Sequence, residues 1–143
     1  MATRDGYAEW RGDLKGGSGT VSVASGLFSG QYSFSTRFEE APGTNPEELV
    51  AAAHAACFSM ALSNILAGAG HTPDSVTTTA RVHLRPVDGS PTIAKIDLIT
   101  VGSVPGIDQH QFTEYATTAK DGCPVSRALG AVPEITLDAT LAD

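Results

Sequence analysis

The chain has 143 residues, 41% of them hydrophobic, which is enough to close a real core within a single domain. Its 16 acidic and 9 basic residues leave a net charge of -7, which argues against nucleic acid or an anionic membrane as the main partner. The opening "MATRDGYAEWRGD" is polar and mixed in charge rather than a secretion leader, so a cytoplasmic protein is expected.

Residues 1–42 read as strands. "YAEWRGDLKGGSGTVSVA" has the form of a hairpin around Gly16-Gly17. "QYSFSTRF" alternates, which predicts a strand with Tyr32, Phe34, Thr36 and Phe38 on one face and Ser33, Ser35 and Arg37 on the other. A long helix follows over 45–69. Asn45 is a good N-cap, Pro46 suits the first helical position, and Glu48 completes the spacing of a capping box. Glu47 and Glu48 lie in the first turn, where the helix dipole favours negative charge, and Gly68, Gly70 and Pro73 end the helix. Its apolar run is too broad for a one-stripe surface helix and predicts burial on several sides. A membrane span is the rival, but His54, Ser59, Ser63 and Asn64 interrupt the run and no basic flank orients it, so no membrane partner is expected.

Residues 74–104 read as a strand pair, "VTTTARVHLRPV" and "TIAKIDLITVGSV", turning near Asp88-Gly89. Residues 108–130 hold two helices, one capped by Asp108 and one begun by Pro124, and 133–142 form a last strand. Strand pairs with segregated helices predict an α+β domain with a largely antiparallel sheet. One sheet covers one side of the 45–69 helix, and a second copy of the chain is the simplest cover for the rest, giving a homodimer.

Two cysteines stand far apart in the sequence. A buried free cysteine ordinarily packs as a small hydrophobe, and Cys57, in mid-helix, would need a positive charge brought from another element to become reactive. Cys123 precedes Pro124 at a helix start, where free backbone N–H groups stabilise a thiolate. His54 shares a helix face with Cys57, which admits a Cys–His nucleophilic pair as well as a core histidine. His71, His83 and His110 read as loop or strand-surface residues, and no fourth ligand completes a metal site.

The motifs "TNPEELVAAAHAACFSMAL" around Cys57, "VPGID" at 104–108, "GCPVS" around Cys123 and "STRFE" at 35–39 resemble the osmotically inducible protein C / organic hydroperoxide resistance family, from about Trp10 to the C-terminus. The wording is closer to the osmotically inducible branch. The resemblance implies an OsmC-like fold, with antiparallel sheet wrapped around long central helices in an intertwined homodimer. It also implies a thiol peroxidase of oxidative and osmotic stress defence, with no metal, haem or flavin. Such an enzyme reduces organic hydroperoxides, and hydrogen peroxide less efficiently. By position, Cys57 would be the peroxidatic cysteine, Cys123 the resolving one, and Arg37 and Glu47 the arginine and glutamate of the site. Attack would convert Cys57 to a sulfenic acid, a Cys57–Cys123 disulfide would follow, and an external dithiol, of lipoyl type in this family, would reopen it. Glu47 and Cys57 lie about 15 Å apart along one helix, so Arg37 and Glu47 of one subunit are expected to serve Cys57 of the other. Two readings of other classes stay open: a binding module for an apolar ligand at the dimer interface, and a Cys–His hydrolase using His54.

Overall fold

The computed structural model describes residues 2–143 as two compact units, which meet in sequence between Leu49 and Val50. The N-terminal unit is a meander of three antiparallel strands, β1 (Gly6–Arg11), β2 (Ser18–Val23) and β3 (Ser29–Tyr32), in the order β1-β2-β3. Asp13 Oδ1 accepts the Gly16 N–H at 2.6 Å and sets the first turn. Gly19 faces Trp10 across β1 and β2, and a Cβ there would stand 2.7 Å from the Tyr32 ring and 2.8 Å from the indole. The missing side chain lets Trp10 and Tyr32 meet with ring centres 5.4 Å apart.

The predicted strand "QYSFSTRF" stops at Tyr32. From Phe34 to Phe38 the chain is instead a short helix, α1. Ser33 and Thr36 form a capping box, the Ser33 hydroxyl accepting the Thr36 N–H and the Thr36 hydroxyl accepting the Ser33 N–H. That local bonding overrides the alternation, and Phe34 and Phe38 stack at i,i+4 with ring centres 4.9 Å apart. Arg37 therefore sits in the last turn of a helix, not on the polar face of a strand.

The long helix α2 runs Pro46–Gly68 as expected. Asn45 Oδ1 accepts the Glu48 N–H at 2.7 Å, but the Glu48 carboxylate takes the Thr44 hydroxyl at 2.8 Å, so the capping box is only half made. In the C-terminal unit, His54, Phe58, Leu62 and Leu66 recur every four residues and are fully buried. A second line of residues, Ala52, Ala56, Met60 and Asn64, is exposed, with Met60 75% accessible. By length and hydropathy α2 could cross a membrane, yet among the described residues only 22% of its most apolar window is buried.

The C-terminal sheet is ordered β4 (Ser75–Val87), β5 (Ser90–Ser103), β6 (Glu134–Leu141). β4 and β5 pair antiparallel through the Asp88-Gly89 turn, with a bulge at His83/Leu84. β6 pairs parallel to β5, a departure from the antiparallel expectation that follows from the helical crossover between them. That crossover holds α3 (Gln109–Gly122), boxed at its start by Asp108 and Gln111, and α4 (Pro124–Ala128). Phe112 of α3 lies against Gly102 of β5, where a Cβ would come within 2.5 Å of the ring. His110 stands exposed in the first turn of α3 rather than in a loop or on a strand.

Asp97 on β5 ties the three strands together. It accepts the Thr136 hydroxyl of β6 at 2.6 Å, bonds His83 Nε2 of β4 at 2.7 Å, and pairs with Lys95 at 3.2 Å. The Thr136 hydroxyl first, then His83 and Lys95, hold its carboxyl well below the usual carboxylate range. A depressed carboxylate contributes stability above its unfolded pKa, near 4, and that contribution is lost as pH falls through the folded value. Acid unfolding of Asp97→Asn should therefore be shallower than that of the wild type below about pH 4. Parallel Tm-against-pH curves for the two chains would show that Asp97 carries no such linkage.

Candidate active site

The N-terminal unit supplies an ion pair. Asn45 caps α2 with its oxygen while its Nδ2 donates to the Thr36 carbonyl at 3.0 Å, fastening the start of α2 to α1. Thr44 N–H bonds the Gln31 carbonyl at 2.9 Å and ties the same corner to β3. Arg37 and Glu47 thereby face each other, with Arg37 Nη2 at 2.7 Å from Glu47 Oε1 and Arg37 Nε at 3.1 and 3.2 Å from the two carboxylate oxygens. Glu47 is buried, whereas the Arg37 side chain is 36% exposed. A buried carboxylate thus orients a guanidinium whose remaining N–H groups stay available.

The C-terminal unit supplies the thiols. Cys57 of α2 and Cys123, at the junction of α3 and α4, are both reduced, and their sulfurs lie 2.9 Å apart in a shared hydrogen bond. Cys123 is fully buried and Cys57 half-buried. Beside Cys57 opens an apolar trough of about 850 Å³, lined by Ala53, Ala56, Met60, Ala61, Ile65 and Pro124 among others.

The two sulfurs differ in what faces them. Burial pushes the Cys57 thiol up, the Cys123 hydrogen bond and charge push it further, and the Val125 amide offsets only part. Burial also raises Cys123, but the hydrogen bond it shares with Cys57 and those with Ser126 and the Val125 amide outweigh it, leaving Cys123 below the ordinary thiol value. Among the described residues of this unit no cation acts on Cys57 to favour its thiolate.

His54 is fully buried on α2, and its Nε2 lies 2.7 Å from Ser126 Oγ rather than bonding Cys57. Burial lowers its pKa, and its Nδ1 has no partner among the described residues. The core-histidine expectation is thus half met, with one nitrogen satisfied. Sequence reasoning did not single out Ser126. The signal was present in two matched spacings, since His54 precedes Cys57 by three residues and Ser126 follows Cys123 by three.

The family model described as OsmC-like protein matches residues 39–138. The chain belongs to this family. It is 56% identical over 136 residues, 94% of each chain, to Peroxiredoxin OsmC of Escherichia coli K12, so it fits the OsmC branch. It is 34% identical over 104 residues to Organic hydroperoxide resistance protein-like 1 of Staphylococcus saprophyticus, covering 71% of this chain and 72% of that one. The crystal structure of the organic hydroperoxide resistance protein OhrB of Bacillus subtilis superposes with a TM-score of 0.70 at 23% identity, covering 96% of this chain and 98% of that one, and shares its fold. In this OsmC-like chain the four residues expected at the site form two pairs, Arg37 with Glu47 and Cys57 with Cys123.

Removing the guanidinium leaves Glu47 buried without its partner. A double-mutant cycle of Arg37→Ala and Glu47→Gln, read by urea unfolding, should give a coupling of about 1 kcal/mol, at the low end because Arg37 is partly exposed. Effects that add to within about 0.3 kcal/mol would mean the pair is not coupled.

Proposed function

We propose that this chain is a two-cysteine thiol peroxidase that reduces organic hydroperoxides to alcohols. The observation that carries the reading is the pair of reduced sulfurs 2.9 Å apart, with the more exposed one, Cys57, at the apolar trough. Names carried by relatives, Peroxiredoxin OsmC and Organic hydroperoxide resistance protein-like 1, support it. The Cys57 thiolate attacks the distal peroxide oxygen, the O–O bond breaks, and the alkoxide leaves as alcohol once protonated. Cys57 is left as a sulfenic acid. Cys123 then attacks that sulfur, the S–O bond breaks, water leaves and the disulfide forms. The sulfurs already lie within about 1 Å of bonding distance. An external dithiol, such as a dihydrolipoyl group, reopens the disulfide by exchange. The apolar lining favours alkyl or lipid hydroperoxides over hydrogen peroxide.

The working unit in this reading is a homodimer. The uncovered apolar line through Ala52, Ala56 and Met60 supports it, because a second copy would remove that surface from water. Arg37, oriented by Glu47, would bring its charge to Cys57 of the partner and hold the peroxide oxygens with its planar fork. That cation would favour the Cys57 thiolate, which burial otherwise opposes. A Cys–His hydrolase is less well supported, since the hydrogen bond His54 makes goes to Ser126.

Mixing the reduced protein with cumene hydroperoxide should consume both thiols stoichiometrically, with recovery on adding dihydrolipoamide and no loss of Cys123 in Cys57→Ser. Thiols that stay free in the wild type would rule out the peroxidase and leave a pocket for an apolar ligand. For the shared site, co-assembled Arg37→Ala and Cys57→Ser chains should recover activity that neither has alone. A mixture as inactive as its parents, or a chain that sediments as a monomer, would overturn the cross-subunit arrangement.

A further inference from the structure

We propose that Asn45 is a positioning residue for the peroxide-attack step, its amide acting as a two-ended joint that starts α2 with one end and holds α1 with the other, so that Arg37 is set against Glu47 before substrate arrives. This rests on the reading of Arg37 as the cation that serves Cys57, and it extends the site to a residue that does not itself meet the peroxide.

The joint follows from what each end can give. Asn45 Oδ1 accepts the Glu48 N–H at 2.7 Å, and Asn45 Nδ2 donates to the Thr36 carbonyl at 3.0 Å. A backbone N–H only donates and a carbonyl only accepts, so one orientation of the amide satisfies both. The Thr36 carbonyl needs this donor, because α1 ends at Phe38 and the N–H four residues after Thr36 lies beyond it. Aspartate and serine cap a helix as well as asparagine does, but of the three only the amide accepts on one atom and donates from another. Asn45 stands two residues before Glu47, and Thr36 one before Arg37. The bond therefore runs beside the ion pair and ties the same two stretches of backbone.

The residues around the joint close the same corner. Thr36, Thr44 and Glu47 are buried. Thr44 donates its N–H to the Gln31 carbonyl at 2.9 Å and its hydroxyl to the Glu48 carboxylate at 2.8 Å. Gly43 lies at φ +140°, and a Cβ there would stand 2.7 Å from Thr36 Cγ2 and 2.8 Å from the Gln31 carbonyl oxygen. The strap from Gly43 to Asn45 thus lies directly against Thr36. Glu47 fixes the far end of the Arg37 side chain through Nε and Nη2, and Asn45 fixes the backbone from which that side chain starts. With both ends set, Nη1, which the pair leaves out, keeps one position for the charge that develops on the peroxide oxygens. Losing the Asn45 donor frees α1 to shift against the start of α2, and a displacement of about 1 Å at such a group costs up to about a hundredfold in rate.

Asn45→Ser and Asn45→Asp both keep the cap and remove the donor, one neutral and one charged. In a single turnover with cumene hydroperoxide, each should form the Cys57 sulfenic acid, trapped with dimedone, about tenfold more slowly than the wild type. The step from sulfenic acid to disulfide should keep its rate. Asn45→Ser should slow the Arg37→Ala chain no further, since the joint acts through Arg37. In urea unfolding, the coupling between Arg37 and Glu47 should be lost in an Asn45→Ser background. Wild-type attack rates in both variants, an effect in only one of two folded variants, or equal slowing of the two steps overturns the proposal. So does further slowing of Arg37→Ala, or an Arg37–Glu47 coupling that survives. If Asn45→Ser does not fold, Asn45→Asp decides the matter in every assay. A wild type that forms no sulfenic acid sinks the peroxidase reading, and a coupling lost with the donor would still uphold the joint.

Discussion

A thiolate inside an apolar core forms only where hydrogen-bond donors or a cation meet it, and the arrangement of the C-terminal unit turns on that requirement. The turn at Cys123 aims the Val125 and Ser126 amides at the sulfurs, and the buried face of α2 brings Cys57 against them. His54, Phe58, Leu62 and Leu66 bury one stripe of α2 and so fix which way Cys57 points, a quarter-turn away from the packed line. The same geometry explains the asymmetry of the pair. One sulfur is enclosed and hydrogen-bonded, and the other is open to the trough and short of positive charge. The two sulfurs therefore differ in what each would need to carry negative charge.

Much of this was legible in the residues. Asn45-Pro46 and the glycines at 68 and 70 bounded α2 to within a residue or two, because caps are local chemistry. Asp108 and Pro124 marked α3 and α4 for the same reason. The motifs around Cys57 and Cys123 carried the family, and the α+β class followed from the order of strand-like and helical runs.

What failed was decided by competition between local and tertiary effects. "SFSTRF" satisfies a two-residue alternation and a five-residue helix equally well, and the Ser33–Thr36 capping box broke the tie. The parallel pairing of β6 was implied by the two helices before it, but pairing direction is a property of the returning chain rather than of the strand's own residues. Ser126 did not stand out because a serine in the first turn of a helix is ordinary until its partner is known, and that partner, His54, lies 72 positions earlier.

The threonine and serine hydroxyls between α2 and the sheet bear on how the sulfurs move. Ser59, two residues after Cys57, donates to Thr78 at 2.8 Å, and Thr78 meets the buried Thr100 at 3.0 Å, so α2 is pinned to β4 and β5 beside its thiol. Sliding or rolling the helix would break the Ser59–Thr78 hydrogen bond. Cys123 stands opposite, at the junction of two helices with only the five-residue α4 beyond it. Side-chain hydroxyls thus hold α2 to the sheet beside the thiol it carries.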